Sequence, residues 1–141
     1  MPAWRLCRAP FADLSGEGAR RYGGRWNSPG RPMVYMASSP ALALLEVRVH
    51  LALPLDMLPP DYVLMAIELH GLAVEQVAAL PSDPLAFGDE WLRQGRSPVL
   101  QVPSVIVPYD TNFLLNPAHP AAQGASILST APFAFDPRLF P

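Results

Sequence analysis

Lysine is absent from this sequence of 141 residues, and cysteine occurs once, as Cys7. A single cysteine excludes an intrachain disulfide and any metal site built from several cysteines of one chain, which fits a reducing compartment. Without lysine no phosphate-binding loop of the Walker type can form, and the sequence contains neither G-x-G-x-x-G nor H-E-x-x-H. The standard nucleotide and zinc signatures are therefore missing.

Long apolar runs are also missing. The chain does not open with a basic segment followed by an apolar stretch, so we expect no signal peptide. The longest segment without an ionised side chain, 111–135, contains Asn, Gln, Ser, His and prolines, which is not typical of a membrane span. These observations predict a cytoplasmic protein without membrane contact.

Proline and arginine are abundant instead, with 18 prolines and ten arginines. Each proline removes an amide donor and clashes with the preceding helical turn, so we expect short elements and a mixed fold. Half of the residues are apolar, which is enough for a buried core in a chain of this length. The sequence predicts one domain over residues 1–141.

The net charge of -2 conceals an uneven distribution, because six of the ten arginines lie within residues 1–31 beside only two acidic residues. Such a basic segment suits an anionic ligand or an acidic partner. The sequence pI near 5.8 argues against a nucleic-acid-binding face. We therefore expect no direct contact with nucleic acid.

Periodicity and turn residues divide the chain into short elements. Ser39 and Pro40 are a typical cap and first residue of a helix, which we expect over 41–51, apolar nearly all round and buried on several sides. A structured loop is expected over 13–30 and turns over 112–122. A second helix is predicted over 86–94, and strands are predicted over 4–8, 33–37, 62–69, 99–102, 105–107, 126–130 and 133–135.

Glu46 is the most informative residue of the first predicted helix. A carboxylate placed among Leu42, Ala43 and Leu45 must find a partner or bear a large desolvation cost. Arg48 lies on a different face of the helix, so a partner would have to come from elsewhere in the fold. The alternative is an exposed pair between Glu46 and His50 at i,i+4 spacing, and helix geometry alone leaves both open.

Arg25 lies in the segment Gly23–Asn27, whose sequence is GGRWN. The glycines allow backbone amides to approach a ligand, and the guanidinium can hold phosphate oxygens in a bidentate fork. The alternative is an arginine stacked on Trp26 that only rigidifies the loop. Tyr35, on a core-like strand, is by itself typical of a packing residue with its hydroxyl satisfied. Weaker candidates in turn-forming sequence are Ser104, Asn112, Asn116 and His119.

Several linked blocks of this sequence resemble the RES domain. The resemblance is specific because the GGRWN, tyrosine and Leu-Glu blocks occur together at matching spacing, and it spans nearly the whole chain. The blocks are 16–19, 23–27 with Gly30, 34–39, 41–43 with Leu45 and Glu46, 102–104, 116–120 and 135–140.

This resemblance implies an α+β fold like that of the ADP-ribosyltransferases, with a mixed core of two small β-sheets and short helices around an NAD⁺ cleft. It implies NAD⁺ as substrate, no metal, and an antitoxin partner with an Xre-like helix-turn-helix domain that blocks the cleft. Glu46, Arg25 and Tyr35 match the family's proposed catalytic trio. The residues implied in NAD⁺ binding are Arg25 and Tyr35 together with Gly24, Trp26, Asn27, Ser104 and Asn116.

The implied function is that of a bacterial toxin that cleaves NAD⁺ at its nicotinamide–ribose bond. In the mechanism that we expect, ionised Glu46 faces the positive charge that develops on the ribose, Arg25 grips the diphosphate or the ribose, and Tyr35 packs on the nicotinamide. Transfer of ADP-ribose to an acceptor protein is favoured over attack by water or phosphate. Two other classes are weighed against it, a non-catalytic interaction module and an RNase; the absence of lysine and the scattered histidines disfavour the RNase.

Overall fold

The computed structural model describes residues 2–141, which form one mixed β-sheet of seven strands with three α-helices. The α-helices are α1 (Glu17–Tyr22), α2 (Pro40–Arg48) and α3 (Pro84–Gln94). The strands are β1 (Ala3–Arg8), β2 (Val34–Ala37), β3 (Tyr62–Glu68), β4 (Val74–Gln76), β5 (Val99–Pro103), β6 (Thr111–Leu115) and β7 (Ser126–Pro132). The predicted α+β class is confirmed.

The sheet has the strand order β4-β5-β6-β2-β1-β3-β7, and only β4 and β5 pair in parallel. Strands β1 and β3 are in register over six residue pairs, from Ala3 with Ile67 to Arg8 with Tyr62. Strands β1 and β2, in contrast, share the single registered pair Trp4 and Ala37. Beyond that pair the two strands diverge, and the sheet opens into two halves.

The expectation of two small sheets is therefore wrong in one respect, because the Trp4–Ala37 pair joins the halves into one sheet. The halves are β4-β5-β6-β2 on one side and β1-β3-β7 on the other. A single ladder pair is a narrow connection, since every backbone group beyond it must find another partner. The divergence leaves room between β1 and β2 for a cavity.

Alternation along β2 distributes its side chains between different parts of the core. Val34 and Met36 pack with Met65 and Ile67 on one face. Ala37 points to the other face, where the side chains of α2 cover it. A third buried cluster unites the GGRWN segment with α3 and the β5–β6 half of the sheet, and it consists of Trp26, Met33, Trp91, Leu100, Val102 and Leu114.

Helix α2 begins where the sequence predicts, with the Ser39 hydroxyl accepting a hydrogen bond of 3.1 Å from the amide of Leu42. It ends at Arg48, before the expected residue 51. Burial on several sides is wrong, because only one side of the helix faces the sheet. Leu42 is buried, whereas Leu45 is 36% exposed and Val49 is 56% exposed.

Other differences from the expected elements occur where glycine and other turn-forming residues predicted a loop or a turn. Helix α1 lies within the expected loop 13–30, because Gly16 and Gly23, with φ of 71° and 73°, end a helix on both sides rather than exclude one. Segment 105–107 is a turn, 111–115 is strand β6 within the expected turn region, and 133–135 is not a strand. The sequence did not predict strand β4.

None of the helices within residues 2–141 is long and apolar enough to cross a membrane.

Helix α3 supports the GGRWN segment through an unusually close backbone approach. Gly88 faces the peptide of Trp26 so closely that a Cβ atom built there would lie 1.8 Å from the Trp26 carbonyl oxygen. The Trp26 ring packs edge-on against Phe87 at 6.1 Å, and both Trp26 and Trp91 are buried. Gly88 is therefore required by packing, although it lies within a helix.

We predict that Gly88→Ala destabilises the protein by more than about 2 kcal/mol, since the added methyl group overlaps backbone that cannot move freely. Helix propensity alone predicts the opposite sign, a gain of up to about 1 kcal/mol. Chemical denaturation followed by circular dichroism measures the difference. Gln94→Ala, at an exposed site of the same helix, is the control; a Gly88→Ala variant as stable as this control would contradict the close packing.

Candidate functional site

A cavity of about 460 Å³ lies where β1 and β2 diverge. Its walls come from β1, β2, β6, α1, α2, the GGRWN segment and the turn after β5. This volume is within the range of about 300–1,000 Å³ that is typical of small-molecule sites. The three residues predicted to be catalytic, Arg25, Tyr35 and Glu46, all line it.

Arg5 of β1 also lines the cavity and was not anticipated from the sequence. Its guanidinium donates hydrogen bonds to the carbonyl oxygens of Tyr35 at 3.4 Å and Phe11 at 3.5 Å. It thereby bridges the gap in which β1 and β2 no longer pair. Its Nε is buried and has no partner among residues 2–141, which is costly for a charged group. The signal that was overlooked is an arginine in the middle of a predicted strand.

Tyr35 holds the GGRWN segment through its hydroxyl. That hydroxyl accepts a hydrogen bond of 2.9 Å from the Trp26 amide and donates one of 2.6 Å to Oδ1 of Asn27. Burial raises the pKa of Tyr35 well above its usual range, so the hydroxyl remains protonated and keeps donating at all ordinary pH. Gly24 passes so close that a Cβ atom there would lie 2.6 Å from the same hydroxyl.

Asn27 braces the segment from within and does not line the cavity. It is buried, and its amide nitrogen donates to the carbonyl oxygens of Ala19 at 2.9 Å, Arg31 at 2.8 Å and Ser28 at 3.2 Å. With Oδ1 held by Tyr35, the side chain has no free group to offer a ligand. The assignment of Asn27 as a direct ligand contact is therefore replaced by a structural one.

Arg25 is exposed at the edge of the cavity. Within the described residues no carboxylate lies at ion-pairing distance from its guanidinium, and no aromatic ring lies beneath it. The alternative that Arg25 stacks on Trp26 is wrong, because the Trp26 ring is buried against Phe87. The guanidinium is available to a ligand.

Glu46 is half-buried on α2, and its Oε1 accepts a hydrogen bond of 3.4 Å from the Ser104 hydroxyl. Ser104 Oγ is fixed in turn by the amides of Ile106 and Val107, at 3.1 and 3.0 Å. No arginine or histidine within residues 2–141 forms an ion pair with the carboxylate. The i,i+4 ion pair is wrong, because His50 Nδ1 lies 2.7 Å from the backbone oxygen of Glu46 instead.

Asn116 lies away from the cavity lining, contrary to the sequence expectation. It is buried, with Nδ2 donating to Leu92 O at 3.4 Å and Oδ1 accepting from the Ala118 amide at 3.0 Å. Its amide is thus committed to the turn after β6. Asn112 does line the cavity, and its Nδ2 donates to the Met36 carbonyl oxygen at 3.3 Å.

Three arginines line the cavity: Arg8 is paired with Asp61, whereas Arg5 and Arg25 have no carboxylate partner in the described part of the chain. The cavity also contains the Glu46 carboxylate, which has no cationic partner among the same residues. Such an arrangement suits a ligand that carries anionic oxygens and also develops positive charge elsewhere. In residues 2–141, no group of three or more His, Cys, Asp and Glu side chains is placed to hold a metal ion.

Comparison with known proteins gives close relatives. The "Prs ADP-ribosylating toxin" of Sphingobium sp. (strain YBL2) is 42% identical over 142 aligned residues, which cover 90% of this chain and 86% of that protein. "Toxin Res" of Pseudomonas putida is 41% identical and covers 99% of this chain and 100% of that protein. The "NAD(+) phosphorylase MbcT" of Mycobacterium tuberculosis is 36% identical over 91 residues, 55% of this chain and 48% of that protein.

A solved structure supports the fold. The crystal structure of the MbcT-MbcA toxin-antitoxin complex of M. tuberculosis contains a chain that superposes with a TM-score of 0.76 at 24% identity, over 98% of this chain and 85% of that one. The RES domain family model matches residues 2–136. The resemblance inferred from the GGRWN, tyrosine and Leu-Glu blocks is thus confirmed, and the chain belongs to the RES domain family.

Proposed function

We propose that this protein is the toxin of a toxin–antitoxin pair, and that it cleaves NAD⁺ at the nicotinamide–ribose bond and transfers ADP-ribose to an acceptor protein. The observation that carries the proposal is the meeting of Arg5, Arg25 and the unpaired carboxylate of Glu46 in one cavity. The relatives that are named an ADP-ribosylating toxin and an NAD(+) phosphorylase support NAD⁺ as the substrate.

The distribution of charge in the cavity suits the two parts of NAD⁺. The diphosphate carries two negative charges, and the forked guanidinium groups of Arg5 and Arg25 match phosphate oxygens. The ribose of the nicotinamide half lies against Glu46, where the carboxylate can accept a hydrogen bond from a ribose hydroxyl.

In the proposed reaction the bond between ribose C1 and the nicotinamide nitrogen breaks, and its electron pair leaves with neutral nicotinamide. The ribose passes through an oxocarbenium-like state, as in glycoside cleavage. A nucleophilic atom of the acceptor then bonds to C1 and loses its proton to solvent. Ionised Glu46 faces the developing cation, and Ser104 keeps the carboxylate in place by its hydrogen bond. Stabilisation of this kind is worth about 3–4 kcal/mol per group.

A second candidate function is phosphorolysis of NAD⁺, in which phosphate takes the place of the acceptor protein. The relative named NAD(+) phosphorylase MbcT favours it. The same residues serve both reactions up to the departure of nicotinamide, so the acceptor alone separates them. Hydrolysis, with water as the acceptor, is the third outcome of the same first step.

We further propose a helix-turn-helix antitoxin of the Xre-like type that covers the cleft, together with action in the cytoplasm. The crystal structure of the MbcT-MbcA toxin-antitoxin complex supports an antitoxin partner. Leu45 of α2 and Val49, the residue that follows the helix, are exposed, and the same helix supplies Glu46 to the cavity. An apolar surface at this position suits a partner that covers the cleft. The buried single thiol of Cys7 fits a reducing compartment.

The proposed reaction is tested by incubating the purified protein with NAD⁺, with and without phosphate and with a cell lysate, and identifying the products by mass. A modified protein indicates transfer, ADP-ribose 1″-phosphate indicates phosphorolysis, and free ADP-ribose indicates hydrolysis. Intact NAD⁺ under all conditions would reject the enzymatic proposal and favour an interaction module or an RNase.

We predict that Glu46→Gln lowers kcat for NAD⁺ by about 10²- to 10³-fold, because an amide cannot balance the charge on the ribose. The amide oxygen can still accept the Ser104 hydrogen bond, so the melting temperature should change little. Turnover is followed by release of nicotinamide, and folding by circular dichroism. Near-normal turnover in the folded variant would discard the proposed role of Glu46.

Arg25→Met should raise KM for NAD⁺ by about tenfold or more, since it removes a charge-assisted contact to the diphosphate worth about 1.5–3 kcal/mol. Because Arg25 is exposed and unpaired, stability should be unaffected. Arg93→Met is the matched control, an exposed arginine of α3 that pairs only with Glu90. An equal KM for the two variants would remove Arg25 from the binding site.

Tyr35→Phe is expected to lower the free energy of unfolding by about 1–3 kcal/mol, because it leaves the Trp26 amide and Oδ1 of Asn27 without their partner. The phenyl ring remains for any packing on nicotinamide. A variant that keeps NAD⁺ turnover but loses stability, measured by urea denaturation, assigns the hydroxyl to the loop. Full stability together with lost turnover would instead place the hydroxyl in the reaction.

A further inference from the structure

Helix α1 forms a wall of the cavity that the proposed mechanism does not use. Its residues Gly18, Ala19 and Tyr22 line the cavity, and they share one side of the helix because they are one, three and four positions apart. Gly18 has no side chain, and a Cβ atom there would lie 3.4 Å from the Phe11 ring. The wall is therefore low and flat, with one large side chain at its end.

That side chain, Tyr22, is 75% exposed although it lines the cavity. Among residues 2–141 its ring has no aromatic partner and its hydroxyl forms no hydrogen bond. Of the other unassigned aromatic residues of the lining, Trp4 and Tyr62 are half-buried in the cluster beneath α2, and Phe11 is half-buried beside Gly18. Tyr22 thus presents a free aromatic face at the mouth of the cavity.

The neighbourhood of Tyr22 favours a flat and uncharged group. Arg8 of β1 lines the same cavity as Tyr22. Its guanidinium is already held by both carboxylate oxygens of Asp61, at 2.9 and 3.0 Å. Arg8 is therefore already paired and does not offer a free charge to an anion beside the ring. An aromatic face of this kind stacks well on a nucleic-acid base, because every base has a π face.

We propose that Tyr22 is the stacking platform for the adenine of NAD⁺ and contributes to the affinity of the cavity for the dinucleotide. The inference rests on the proposed function, in which nicotinamide and its ribose lie at Glu46 and the diphosphate lies at Arg5 and Arg25. Tyr22 precedes Arg25 by three residues and both line the cavity, which is consistent with a group beyond the diphosphate that lies along α1. That group is adenosine.

The experiment compares the wild type with Tyr22→Ala and Tyr22→Phe. KM and kcat are measured for NAD⁺. Dissociation constants are measured by titration calorimetry for ADP, which carries adenosine on its diphosphate, and for inorganic pyrophosphate, which lacks adenosine. Tyr109→Ala is the matched control, because Tyr109 is fully exposed and does not line the cavity.

Tyr22→Ala should raise KM for NAD⁺ and weaken ADP binding by about tenfold each, because the stacking contact to the base is lost. The kcat and the binding of pyrophosphate should not change, because that contact is equally strong in the ground state and the transition state. Tyr22→Phe and Tyr109→Ala should behave as the wild type. The inference is overturned if folded Tyr22→Ala keeps its KM, if pyrophosphate binding falls equally, or if Tyr22→Phe fails as badly as Tyr22→Ala.

Failure of the proposed function gives a different result. A wild-type protein that leaves NAD⁺ intact, yet binds ADP through Tyr22, would keep the base platform and reject the reaction. A protein that consumes NAD⁺, yet binds ADP no more tightly than pyrophosphate, would keep the reaction and reject the platform. If neither NAD⁺ turnover nor ADP binding is seen, both proposals fall.

Discussion

The divergence of β1 and β2 after the single pair Trp4–Ala37 is the constraint on which the rest of the site depends. A fully paired sheet would leave no space between these strands, whereas two separate sheets would not hold the walls together. Arg5 occupies the gap and replaces ladder hydrogen bonds with two long side-chain bonds to backbone carbonyl oxygens. The sheet thus has a cavity and a half-buried cation at the same place, and the buried Nε of that cation has no hydrogen-bond partner among residues 2–141.

The GGRWN segment is positioned from several sides before any ligand arrives. Tyr35 and Asn27 satisfy its polar groups from below, and Gly88 lets α3 approach its backbone at close range. Side chains that were expected to contact the ligand therefore form their hydrogen bonds within the loop. The group that the loop exposes to the cavity is the guanidinium of Arg25. A rigid support of this kind lowers the entropy cost of gripping an anion.

Helix α2, like the GGRWN segment, is held in place by other parts of the fold, in this case at its C-terminal end. Arg48 donates a hydrogen bond of 2.8 Å to the Leu139 carbonyl oxygen and lies 4.2 Å from the ring centre of Phe140. Phe140 packs edge-on against Phe135, which in turn packs against Tyr62 of β3. The C-terminal residues thereby tie the short helix that carries Glu46 to the sheet, although its outer side remains exposed to solvent.

Some features of this protein were determined by local sequence, because they depend on neighbouring residues alone. The start of α2 at Ser39 and Pro40 is one, since a cap needs only its own amides. The strands 4–8, 33–37 and 62–69 are others, and the linked blocks around Arg25, Tyr35 and Glu46 sufficed to indicate the family and one shared cavity.

Tertiary structure decided what depends on residues far apart in the chain. Competition between distant backbone groups for each hydrogen bond decides how far β1 and β2 pair and whether Arg5 reaches the cavity. The same competition decides whether Asn27 and Asn116 face a ligand or a loop. Gly16 and Gly23, which locally predict a loop, lie at the two ends of α1 with positive φ angles. Local sequence supplied the reactive groups, and long-range pairing determined which of them remain free to react.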